Sequence, residues 1–177
     1  MITKTEAISF LRTHQPMPDD GEVTKEELGQ YEEVGTFFLG HRDEVCIPLF
    51  LNSFGGKAGF GVYKMVENVI MMYDKETVLP YILKALDSPY TGVRLWCARI
   101  ASNFPDDRLF DPLTRLLGSG DEDIQAAAVT ALSKLAMHRI RIGMVMQVLQ
   151  DAVAGMRDEE LREFAEKTLT DIHNCKQ

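Results

Sequence analysis

The chain is poor in the residues that let covalent bonds or metals hold a fold. It has three cysteines in 177 residues, Cys46, Cys97 and Cys175. An odd number at wide spacing argues against a disulfide framework, and no CxxC pair offers a structural zinc site. The longest apolar run, Val45 to Leu51, falls far short of the roughly 20 residues needed to cross a bilayer. No apolar stretch follows a basic start, so the expectation is no signal peptide and a reducing, cytoplasmic setting. Bases are also scarce. Nineteen Lys and Arg face 27 Asp and Glu, a net charge of −8. Such a chain is a poor general binder of nucleic acid, because phosphate neutralisation needs clustered cations. The expected partner is a protein, with no nucleic acid, membrane, cofactor or metal.

Catalytic signatures are thin too. None of the four histidines lies in an HExxH motif or precedes a glutamate, and no GxSxG is present. Gly55-Gly-Lys-Ala-Gly-Phe-Gly61 has the wrong spacing for a phosphate-binding loop, since Lys57 is followed by Ala58 and no strand precedes it. It reads as a flexible turn inside a helix pair, with a touch to a partner as the functional alternative. Asp121-Glu-Asp123 lacks the alternating ligands of a calcium loop and reads as acid favoured by a helix N-terminus. Trp96 reads as core. Met137, Met144, Met146 and Met156 read as adaptable core filler, or as groove lining.

What is present is one helix after another. The 3.6-residue period predicts helices at about 4–14, 25–39, 43–54, 61–73, 75–86, 89–104, 107–117, 122–137, 142–154 and 158–174. Thr3-x-x-Glu6 and Thr24-x-x-Glu27 have capping-box spacing. A shift of 31 residues aligns Val62, Val93 and Ile124. It also aligns Val69, Ile100 and Ala131, then Tyr73, Phe104 and Leu135, and it carries Leu86 onto Leu117. A fixed period of this length marks stacked helix pairs, each unable to bury both faces alone.

Two units carry the pattern most clearly. In Val78-Leu-Pro-Tyr-Ile-Leu-Lys-Ala-Leu-Asp87 a proline sits early in a first helix, and Val93-Arg94 then opens the second, with Ala98 following. The next unit gives Leu109-Phe-Asp-Pro112, Leu116-Leu117 and Asp123-Ile124, and the last pair gives Leu161-Arg162-x-x-Ala165. These residues resemble HEAT repeats over about 43–173, most strongly over 78–136. The resemblance implies an all-α, right-handed α-α superhelix (a HEAT-like solenoid) of about five helix pairs. The expected organisation is one domain over 1–177, with 1–42 an atypical capping pair.

In such a stack the second helices usually line the concave face. Their columns outside the apolar stripe are the expected partner-binding residues. They are Tyr63, Arg94 and Gln125, then Asn68, Arg99 and Thr130, then Met72, Asn103 and Lys134. A second candidate surface is acidic. Residues 1–45 hold four bases and ten acids, so that quarter carries −6 and the rest only −2. Glu26, Glu27, Glu32 and Glu33 are its expected steering face toward a basic partner. The function expected from these features is a non-enzymatic protein-binding module, best matched by an immunity-type inhibitor of a small basic toxin domain. The alternatives are a scaffold or regulatory subunit, or a HEAT-like accessory enzyme of the bilin lyase or DNA glycosylase type. Arg94, Arg99 and Trp96 are a thin basis for a glycosylase.

Overall fold

Two threonines start the first two helices. Thr3 and Thr24 each accept from the backbone N–H three residues on, while Glu6 and Glu27 reach back to the threonine N–H. These reciprocal bonds satisfy donors that a helix start leaves unpaired. They fix α1 (Lys4–Thr13) and α2 (Lys25–Gly40) where the spacing predicts. The computed structural model describes residues 2–56 and 59–175. Among them every regular element is helical: α3 (Cys46–Leu51), α4 (Val62–Ile70), α5 (Lys75–Ala85), α6 (Thr91–Ala101), α7 (Phe110–Leu116), α8 (Glu122–Met137), α9 (Ile142–Val153) and α10 (Glu159–Asn174). The architecture is all-α and HEAT-like.

The chain divides into two compact units, 1–96 and 97–177, with the division falling inside α6. In the first unit α2 packs on α4 and α3 on α5. Gly35 faces Met65 at the α2–α4 contact, where an added Cβ would lie 1.9 Å from the sulfur and displace that flexible side chain. Tyr31, Phe38, Phe50, Phe54 and Tyr63 fill the core. Phe38 meets Phe50 edge to face at 5.7 Å, and Tyr31 meets Phe10 the same way at 4.9 Å. The Tyr31 hydroxyl donates to the His14 carbonyl at 2.5 Å, which satisfies its polar end.

In the second unit α8 is the central element and packs against α7, α9 and α10. Its Ala127, Ala128, Ala131 and Ala136 are buried, and their small side chains permit close packing on several sides. Asp121 caps it by accepting from the Ile124 N–H at 3.0 Å, as the acidic cluster suggests. Every residue of the three apolar columns aligned by the 31-residue shift is buried, and so are Leu86 and Leu117.

The expectations for Trp96, the late methionines and the third helix need correction. Trp96 is half-buried, stacked on Phe54 at 5.6 Å and edge-on to Tyr63 at 5.0 Å, so it walls the core without being enclosed by it. Met137 and Met144 are 45% and 51% exposed, and of the four late methionines only Met156 is buried. The helix expected at 43–54 shortens to Cys46–Leu51. The Asp43 side chain folds back on the Val45 N–H and holds the first residues in a turn.

Candidate functional site

The first column of the expected binding face is structural. Tyr63 is buried, and its hydroxyl accepts from the Gly55 N–H at 2.7 Å. Burial pushes its phenol up to about 12. Arg94 donates to the Ser88 carbonyl at 2.7 Å, and Gln125 donates to the Leu117 carbonyl at 2.6 Å. Both carbonyls belong to the turn that joins the two helices of a pair. A helix end leaves such carbonyls without intrahelical partners, so these side chains close the turn.

The other two columns stay at the surface. Asn68, Arg99, Asn103 and Lys134 are exposed, while Met72 and Thr130 are half-buried. Arg99 and Thr130 come together in the second unit, in a groove of about 360 Å³ with Ser102, Asp123, Ala126 and Phe164. The floor is alanine. Thr130 donates to the Ala126 carbonyl at 2.9 Å and Ser102 to the Arg99 carbonyl at 2.7 Å, so both hydroxyls are anchored locally. Phe164 stands at the wall, 40% exposed. Its part was missed because the last pair breaks the period: Leu161 matches Ile124 at a shift of 37, not 31. The sequence signal that places it is Leu161-Arg162-x-x-Ala165, read at that longer offset.

The acidic face is only partly free. Glu26, Glu32 and Glu33 are exposed. Glu33 accepts from the Ile2 N–H at 3.1 Å. Glu27 is committed to its cap, where the Thr24 N–H and hydroxyl hold its carboxyl below the usual range.

The glycine-rich loop is tied down where it is described. The Gly56 N–H donates to Asp19 and the Gly59 N–H to Asp20, the latter at 2.9 Å. Amides that could cradle a phosphate are thus already paired with carboxylates. Lys57 and Ala58 lie outside the described residues. Phe60 follows, with a φ of 44° and 61% exposure. Among the described residues no group of three His, Cys, Asp or Glu side chains is placed to hold a metal. Burial pushes the Cys46 thiol up to about 11, which keeps it protonated at neutral pH.

Residues 79–170, more than half of the chain, match the family profile for HEAT repeats. The chain belongs to the HEAT-repeat family. The match runs from within α5 to α10. The chain is also similar to the crystal structure of an engineered protein, at 17% identity and a TM-score of 0.47 over 94% of this chain and 79% of that one. No curated protein matches it. As a HEAT-repeat protein the chain is a helical-repeat scaffold of the kind that mediates protein–protein interaction. No described helix is long and apolar enough to cross a membrane.

Proposed function

We propose that this HEAT-repeat protein is a non-enzymatic binding module that holds a basic protein partner, with inhibition of a toxin-like domain as the specific role. The observation that carries the binding reading is the groove of Arg99, Thr130 and Phe164. An exposed aromatic ring beside an arginine, over a floor of small residues, is the composition of an interface hot spot. The basic character of the partner rests on charge: the first 45 residues carry −6.

The test is affinity capture from the native host with the wild type and the Phe164→Ala and Arg99→Ala variants. One small basic protein, recovered in equal amount by the wild type and lost by both variants, supports the reading. Equal recovery by all three removes the groove. A large stable assembly favours a second reading, a scaffold subunit, to which the exposed Met137 and Met144 would offer apolar contact surface.

A further inference from the structure

A larger cleft lies at the turn edge of the second unit, about 740 Å³ in volume, where α7 and α9 end and α8 and α10 begin. That volume is in the range of cavities that hold a ligand group, about 300–1,000 Å³. Its floor is apolar. Leu117 and Met156 are 7% exposed each, and Val148 and Ala152 are half-buried. Gly118, Gly120 and Gly155 leave parts of its rim without side chains. Three carboxylates, Glu122, Asp151 and Asp158, line it against one base, Arg157.

The fold answers two of these charges with helix N-termini, Glu122 in the first turn of α8 and Asp158 at the cap of α10, and leaves Asp151 without that support. Asp151 sits in the last turn of α9, where the helix's own partial charge is negative and a carboxylate is disfavoured. That turn holds no basic residue, and the partner shown for Asp151 is the Gln147 amide at 2.9 Å. Glu122 makes no ion pair among the described residues, and neither does Arg157. Asp158 caps α10 through the Leu161 N–H at 2.7 Å, using one of its two oxygens. An anion would be repelled here. No three of these groups are close enough together for a metal among the described residues. A long side chain with an apolar stem and a cationic head fits both parts of the cleft, since lysine and arginine lay their methylenes on apolar surface while the charge reaches polar groups.

We propose that this cleft seats a lysine or arginine side chain from an extended segment of the partner. The assignment rests on the reading that the partner is a basic protein, and it places the contact at Glu122, Asp151 and Asp158. Arg157 acts as a competing cation at the rim.

The probe is a synthetic seven-residue peptide of alternating alanine and lysine, blocked at both ends, titrated into the full chain at low salt. Amide NMR shifts report the position. The peptide is expected to move Gly118, Gly120 and Gly155. Asp151→Asn with Glu122→Gln should weaken it about tenfold, and Arg157→Ala should tighten it. Both sets of changes are at exposed positions, so the fold is preserved. Shifts confined to the surroundings of Glu26 and Glu32 overturn the cleft and leave the basic-partner reading intact. No binding anywhere overturns both. Spermine that binds the cleft more tightly than the peptide overturns the protein segment as occupant and assigns the site to a small amine.

Discussion

At the residue scale, the tightest constraint in the first unit is a glycine that the helical pattern does not explain. A Cβ on Gly92 would lie 1.7 Å from the Gly55 carbonyl oxygen and 2.4 Å from its carbon. The obstacle is backbone, so it cannot be relieved by a side-chain rotation. Gly55 is itself held, by the Tyr63 hydroxyl. Gly92→Ala should therefore destabilise the protein by about 3 kcal/mol, at the upper end of overpacking. Gly29→Ala, in α2 with nothing within 4 Å of the added carbon, should stabilise it by about 0.5–1 kcal/mol. Denaturant midpoints of the two variants check the pair, and equal effects would mean that the Gly92 approach is not real. The same scale shows why the binding face was only half legible in the sequence. Helical spacing says which residues leave the apolar stripe. It does not say whether a polar side chain then stays at the surface, as Asn68 and Lys134 do, or folds back onto a neighbouring carbonyl, as Arg94 and Gln125 do.

At the scale of elements, the capping boxes were legible because all their partners lie within three residues. Glu27 shows what such a cap does with pH. Its carboxyl titrates below its ordinary 4.5, first through the Thr24 N–H and then through the Thr24 hydroxyl. A carboxyl whose folded value is depressed adds stability above its ordinary value and loses it as pH falls through the folded one. Thr24→Ala should cost about 1 kcal/mol at neutral pH. The difference from wild type should shrink at an acid pH below that depressed value, where the hydroxyl no longer meets a carboxylate. Thermal melts at the two pH values check this, and a cost that does not change with pH would remove the Glu27 half of the box. Element ends farther from such local signals were less legible. The helix expected at 89–104 starts at Thr91 and stops at Ala101, because Asn103 and Phe104 close turns onto Ile100 and Ala101. The ten helices themselves were legible, since a 3.6-residue stripe and Pro, Gly or Asp breaks recur along the chain.

At the scale of the whole molecule, a repeat architecture spreads stability over neighbouring pairs in place of one shared core. In the second unit α8 joins α7, α9 and α10, so damage to α9 should be felt there first. Leu149 is fully buried in α9, and Leu149→Ala should cost about 2–4 kcal/mol for the lost methylenes and the cavity left behind. Trp96 is a built-in reporter for the other unit, because its ring lies against Phe54 and Tyr63. Local coupling predicts that the variant loses amide-exchange protection in α8, α9 and α10 while the midpoint of the Trp96 fluorescence transition holds. The 31-residue shift that relates Val62, Val93 and Ile124 is the sequence basis for this expectation, since stacked repeats contact chiefly their neighbours. If the Trp96 midpoint falls by the same free energy as the exchange in α8, the chain unfolds as one cooperative body and the nearest-neighbour account of its stability fails.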